Sequence, residues 1–363
     1  MTKSVYIHIP FCDNICTYCD FCKQYYHKET VAKYLDALKQ EITKKYQGEK
    51  LKTIYIGGGT PSSLNVSELK KLFEIIKIFN FEKKYEFTIE VNPENINKEK
   101  LQLMKENGVN RISIGIESTN DEILKYLNRK YNYEMVKEKI KLIKSADFKN
   151  INVDLIYAIK NETINDLEKD LNNLLKLDIT HISTYSLMIE PNTMLSIKKE
   201  KSIDENLDYE MYQTICTKLK EKGFIHYEIS NFCKEGYESH HNLVYWHNEE
   251  YYGFGLGASG YLNNIRYDNT KSISKYTKGE YLLNSEELSI KDKISYELIL
   301  GFRLVKGINK KKFYQKYKKE LTDLYNIKEL ILKQELIDDG SNISINYDKI
   351  YIENSILINF VGE

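Results

Sequence analysis

Six times within its first 222 residues this sequence passes from a short run of β-branched and aromatic residues to a longer stretch with helical spacing. The strand-like runs are Ser4–Ile9, Thr53–Ile56, Glu86–Val91, Arg111–Gly115, Ile151–Tyr157 and Ile182–Leu187. The helical stretches are Thr30–Lys44, Ser67–Ile78, Lys98–Asn107, Glu122–Ile143 with a break near Tyr131, one that follows an N-cap signal at Thr163 and Asp166, and Leu207–Lys222. In the first of them Val31, Tyr34, Leu35, Leu38 and Ile42 share one face. Repetition of this kind builds a parallel sheet with right-handed crossovers. Six units fall short of the eight of a full barrel, so the expected fold class is α/β, an open or partial (β/α)6 barrel. Chemistry in such a fold belongs at the C-terminal ends of the strands.

The unusual residues fall there. Four cysteines follow the first strand, Gly57-Gly58-Gly59 follows the second, Glu90 ends the third, Glu117 follows the fourth and Asp154 lies in the fifth. Beyond residue 224 the pattern changes. His226–Phe232 reads as a strand, and a loop-like stretch rich in His, Asn, Gly and Tyr runs to about residue 272. From Ser289 the chain mixes helix with short strands and ends in Asn342–Asn346, Lys349–Ile352 and Ile356–Phe360, a small helical, winged-helix-like domain with a β-wing. The expected division is 1–224, 225–285 and 286–363.

Charge excludes one class of function as the main theme. Lys and Arg number 53 and Asp and Glu number 53, so no global basic surface serves nucleic acid. No apolar run approaches the roughly 20 residues that span a bilayer, and Met1–Pro10 is too short and too interrupted for a secretory segment. The expectation is a cytoplasmic protein, with peripheral membrane contact left open. Cys12, Cys16, Cys19 and Cys22 crowd into eleven residues, whereas Cys216 and Cys233 lie far away. The spacing C-x3-C-x2-C presents three thiolates to three irons of a cubane. Zinc prefers two separated ligand pairs or added histidines, and a redox pair wants an isolated Cys-x-x-Cys. Spacing alone leaves all three open.

In its setting, YIHIPFCDNICTYCDF, this loop resembles the signature of the radical S-adenosylmethionine (SAM) superfamily. Within that superfamily it resembles the group of oxygen-independent coproporphyrinogen III oxidase and the HemW-like haem chaperones. Other motifs agree in order: IGGGTPSSL at Ile56–Leu64, IEVNPE at Ile89–Glu94, NRISIGIES at Asn110–Ser118, DLIYA at Asp154–Ala158 and HISTYSLMIEPNT at His181–Thr193. YEISNF at Tyr227–Phe232, HNLVYW at His241–Trp246 and GFGLGASGY at Gly253–Tyr261 complete them. The resemblance covers nearly the whole chain and weakens after about residue 305.

It implies a radical-SAM barrel with one [4Fe–4S] cluster on Cys12, Cys16 and Cys19, the fourth iron being left for SAM. Tyr6 and Tyr18 flank the loop, where the family places aromatic or hydroxyl contacts near SAM; ordinary packing is the other reading of both. Gly58, Gly59 and Thr60 match the SAM-contacting segment, where absent side chains let backbone carbonyls approach an ammonium group. Glu90 matches the acid that accepts from ribose hydroxyls, Arg129 the partner of the methionine carboxylate, and Asp154 a further acid of that pocket. A structural ion pair is the alternative for each.

Three departures stand out. Glu117 takes the place of the family's usual Gln. Ala158-Ile159-Lys160-Asn161 replaces a glycine-proline turn, and Ala258-Ser259-Gly260 replaces Ala-His-Ser. Two features separate oxidase from chaperone. The oxidase carries a fourth cysteine at the position of Phe21 and a long N-terminal extension, whereas here Cys22 falls one residue late and five residues precede Tyr6. The motif from His241 to Trp246 resembles the chaperone's H-N-x-x-Y-W, associated with haem handling, and a neutral imidazole is a natural axial ligand. A polar loop with a hydrogen-bonded His241 is the alternative, and His240 and His247 are rival ligands. The resemblance implies a haem chaperone that binds haem, a [4Fe–4S] cluster and SAM and delivers haem to acceptor proteins, membrane-associated ones foremost, with a homodimer left open. The oxidase, or a related radical-SAM methyltransferase, is the alternative.

Overall fold

A computed structural model describes residues 2–324 and 326–361. Six parallel strands form in the expected order: β1 (Ser4–Ile9), β2 (Lys50–Gly58), β3 (Asn80–Val91), β4 (Arg111–Glu117), β5 (Asn150–Tyr157) and β6 (His181–Ser186). Each pairs with its sequence neighbours. The connecting helices are α1 (Lys28–Lys45), α2 (Val66–Ile76), α3 (Lys98–Glu106), α4 (Tyr133–Ser145), α5 (Ile164–Leu175) and α6 (Glu205–Glu221). The expected break near Tyr131 is present, since a short helix at Asp121–Tyr126 ends before α4 begins. The N-cap signal also holds. Thr163 accepts from Asp166 N while the Asp166 carboxylate accepts from Thr163 N, a reciprocal cap on α5.

Alternation along the strands explains the two faces of the sheet. Val5, Ile7, Ile9, Ile54, Ile56, Phe87, Ile89, Ile112, Ile114, Val153 and Leu155 are all fully buried or nearly so, in the core that includes the helices. The intervening positions carry polar groups: Tyr6 and His8, Thr53 and Tyr55, Glu86 and Glu90, Arg111 and Ser113, Asn152 and Asp154, His181 and Ser183. Register aligns this second set across neighbours, with Tyr6 opposite Tyr55, Glu90 opposite Ser113, Ser113 opposite Asn152 and Asp154 opposite Ser183. One face is therefore a hydrophobic floor for the helices, and the other is a polar concavity.

Residues after 224 extend both edges of the sheet. β7 (Ile225–Glu228) and β8 (Asn231–Cys233) form an antiparallel pair beside β6, so His226–Phe232, expected as one strand, spans parts of two strands and the tight turn at Ile229 and Ser230 that joins them. The chain then crosses to the opposite edge, where β9 (Tyr252–Phe254) pairs in parallel with β1. The order is β9-β1-β2-β3-β4-β5-β6-β8-β7, an open series of nine. The crossing contains α7 (His240–Trp246), so the expected loop is partly helical. Ser239 caps α7, and the Glu86 carboxylate accepts from His240 N (2.9 Å) and His241 N (3.0 Å). These bonds hold α7 against the inner face of β2 and β3, toward the N-terminal ends of the strands.

A second core, which includes Ile294, Leu298, Phe302, Phe313, Ile343 and Phe360, gathers the C-terminal segments. Helices Ile290–Gly301, Lys310–Tyr317 and Ile327–Leu332 pack with strands Ile308–Asn309, Leu336–Asp338 and Asn342–Ile345 in a winged-helix-like order. The expected strand at Asn342–Asn346 is present. Lys349–Ile352 falls instead in a 3-10 turn, and Ile356–Phe360 in a short helix and its following turn.

Candidate cofactor site

A cavity of about 430 Å³ opens at the C-terminal ends of the strands. Cys12, Cys16, Cys19, Tyr18, Gly58, Gly59, Thr60, Glu90, Glu117, Arg129 and Asp154 all line it. Of the residues singled out in the sequence, Tyr6 and His241 are missing from this wall.

Close approach of the backbone shapes the cysteine side. A Cβ on Gly59 would sit 2.7 Å from the Pro10 carbonyl carbon and 3.0 Å from Cys12 Sγ, so the absent side chain is what lets the cysteine loop lie down on the end of β2. Thr60 Oγ1 donates to Cys12 Sγ at 3.6 Å. Asn92 Nδ2 donates to Thr60 Oγ1 (3.1 Å), while Asn92 Oδ1 accepts from Arg129 Nη1 (3.2 Å). A continuous chain of bonds thus links the cysteine loop to Arg129. Burial pushes the Cys12 thiol up to about 11, and it raises Cys16 and Cys19 as well.

The opposite wall is acidic. Glu90 accepts from Tyr55 Oη (2.9 Å) and Gly58 N (3.0 Å), and a Cβ on Gly57 would stand 2.7 Å from its carboxyl carbon. Asp154 accepts from Asn152 Nδ2 (2.8 Å), which also donates to Ser113 Oγ (2.8 Å). Burial raises both carboxyls. Asp154, which also feels Glu117 and Glu90, is pushed up to about 7. Arg129 pairs with Glu117 and donates to Tyr18 Oη at 2.7 Å. Arg129 thus has a protein carboxylate as its partner, where the sequence pointed to a ligand's carboxylate.

His241 is fully buried beneath this cavity. Its Nδ1 shares a hydrogen bond with Thr53 Oγ1 (2.9 Å) and its Nε2 with Tyr245 Oη (2.8 Å), and its ring tilts over Tyr55. Burial, with Arg111 nearby, pushes it down to about 3, so the ring is neutral. Both ring nitrogens are thus engaged within the protein, the arrangement expected of the hydrogen-bonded alternative for His241 and not of a free axial ligand. Tyr6 likewise turns away, to His8 Nδ1 (2.9 Å), beside a second depression lined by Phe21, Cys22, Tyr245, Gly257 and Lys271.

Sequence reasoning missed Asn92, Arg111, Asn152, Ser183, Tyr185 and Asn242, all of which line the main cavity. Asn92 sat inside a quoted motif, and Asn242 is the contribution of the H-N-x-x-Y-W segment to the wall. Arg111, Ser183 and Tyr185 also fell within named motifs, and Asn152 lay outside them, two residues before Asp154 on the same strand face.

The model of the radical SAM superfamily matches residues 6–174. Over nearly their whole lengths, the chain is 38% identical to the heme chaperone HemW of Lactococcus lactis subsp. lactis, with 99% of this chain and 97% of that protein covered. It is 37% identical to HemW of Bacillus subtilis, with 99% and 100% covered. The chain belongs to the HemW family. HemW of Escherichia coli matches at 30% over 85% of each chain. Among solved structures, coproporphyrinogen III oxidase (HemN) of Escherichia coli superposes with a TM-score of 0.87 at 22% identity, covering 99% of this chain and 90% of that one, and so shares the fold.

The superfamily to which HemW belongs implies a [4Fe–4S] cluster and SAM, and the wall fits both. Three thiols open onto one cavity beside a glycine cradle, and buried acids and an arginine stand opposite. Among the described residues no three His, Cys, Asp or Glu converge on a point fit for one metal ion, whereas a cubane takes one thiolate at each of three irons. Among the described residues no helix is long and apolar enough to cross a membrane.

Proposed function

We propose that this chain is a haem chaperone that holds a [4Fe–4S] cluster on Cys12, Cys16 and Cys19 and SAM in the adjoining cavity, and that hands haem to acceptor proteins. The observation that carries the reading is identity over nearly the full length to proteins named heme chaperone HemW. When bound, the cluster supplies the electron that cleaves the SAM sulfonium. The chain's own residues bind and orient: Gly58, Gly59 and Thr60 present backbone to the ammonium group, Glu90 and Asp154 accept from hydroxyls, and Arg129 meets the carboxylate.

Haem goes to the mouth of this cavity. Phe21, Tyr185 and Met188 line it and are 64%, 45% and 68% exposed, an apolar rim suited to a flat porphyrin face. The working division is a core at 1–224, an extension at 225–285 that closes the concavity with α7, and a C-terminal unit at 286–363. Acceptors include membrane-associated haem proteins, met peripherally by a cytoplasmic chaperone, and self-association into a homodimer is part of the same reading.

Anaerobic reconstitution followed by haem titration tests it. A Soret band should develop in the wild type, persist in His241→Gln and weaken in the double variant Phe21→Ala, Met188→Ala. Formation of protoporphyrinogen from coproporphyrinogen, SAM and a reductant would replace the chaperone with the decarboxylase.

A further inference from the structure

Glu117 reaches Arg129 by an unusual route. Its φ is 64°, in the left-handed region that a non-glycine residue adopts at a cost. It follows a bulge, because pairing between β4 and β5 slips between Gly115 and Glu117. A Cβ on Gly115 would stand 2.8 Å from Glu117 Oε1, so the glycine clears space for the carboxylate. The outcome is a buried ion pair in which the two side chains are 8% and 7% exposed. The guanidinium is not saturated by it. Arg129 Nε is buried with no hydrogen-bond partner, which leaves capacity for one more acceptor on the fork.

We infer that Glu117 is an internal competitor for Arg129, holding the guanidinium edge that the α-carboxylate of a sulfonium amino acid such as SAM would engage in bidentate fashion. This rests on the SAM reading proposed above. A bidentate carboxylate needs two neighbouring N–H groups, and Glu117 already takes one from Nη2. A ligand carboxylate entering beside it also meets a like charge in a poorly hydrated wall. Glu117 therefore weakens ligands that carry the carboxylate and leaves those without it untouched.

Two ligands and two variants test the inference on the cluster-loaded protein. SAM carries the carboxylate; 5′-methylthioadenosine keeps the adenosine, lacks the amino acid and has a neutral thioether where SAM has its sulfonium. Glu117→Gln keeps the shape and removes the charge, and Glu117→Ala deletes the group. Both should tighten SAM about tenfold, the size of one charge-assisted contact regained, with methylthioadenosine unchanged. Unchanged or weaker SAM binding in both variants overturns the inference, and so does equal tightening of the two ligands. If wild type and variants bind methylthioadenosine but none binds SAM, the competitor role is overturned. If none binds either ligand, the SAM reading falls and takes the inference with it.

Discussion

Cys16 and Cys22 lie six residues apart yet face different surroundings. Cys16 lines the main cavity with Cys12 and Cys19, whereas Cys22 lies in the second depression, its Sγ 2.9 Å from where a Cβ on Gly257 would be. Reconstituted wild type should hold about four irons and four sulfides per chain. Cys16→Ala should lose them and Cys22→Ala should keep them, as read by iron and sulfide analysis. Stoichiometric zinc without sulfide in the wild type would refute the cluster. Gly59→Ala belongs to the same experiment. Its new methyl would collide with the Pro10 carbonyl and crowd Cys12 Sγ, so cluster content should fall without any change of ligand.

At the scale of elements, α7 ties the concavity together through two residues. Glu86 holds the first N–H groups of the helix, and His241 spans from Thr53 to Tyr245. His241→Ala or Glu86→Ala should each cost about 2–4 kcal/mol, because each strands buried partners. Combined, they should cost less than the sum by more than about 0.5 kcal/mol, since each removes part of one network. Urea denaturation of the four proteins of the cycle measures this, and strict additivity would separate the two residues. The helix itself was hidden in the sequence. HHNLVYW is too short to show a helical period, and its His and Asn read as loop residues. The parallel strands were legible because β-branched runs sit between amphipathic helices, and with them the cavity at their C-terminal ends. Arg111, Asn152 and Ser183 were not, because a polar residue in a strand reads as facing solvent until the opposite face is known to be covered.

Across the whole molecule, the β7–β8 turn is the joint to the C-terminal unit. Ile229 N donates to Arg303 O (3.2 Å), Val305 N donates to Tyr227 O (3.1 Å), and Glu228 bridges to Leu304. Two buried carboxyls sit in this joint. Glu353 pairs with Arg303 Nη1 at 2.7 Å, and Glu228 accepts from Ser230 N (3.1 Å) and from Asn231 Nδ2. Burial pushes Glu228 up to about 8, with Glu353 adding to the effect, and burial pushes Glu353 up to about 7. A carboxyl raised in the folded chain binds its proton there while the unfolded chain, near 4.3, has released it. Its stabilising contribution is therefore complete below about pH 4.3 and is lost as pH rises toward 8. Glu228→Gln cannot ionise, so its stability relative to wild type should climb with pH by about 1.4 kcal/mol per unit between pH 5.5 and 7.5. Urea titrations of the cluster-free protein under reductant at pH 5.5, 6.5 and 7.5 give this slope directly. A difference that stays flat across that window would mean that Glu228 is already ionised in the folded joint, and the protonated seam would be wrong.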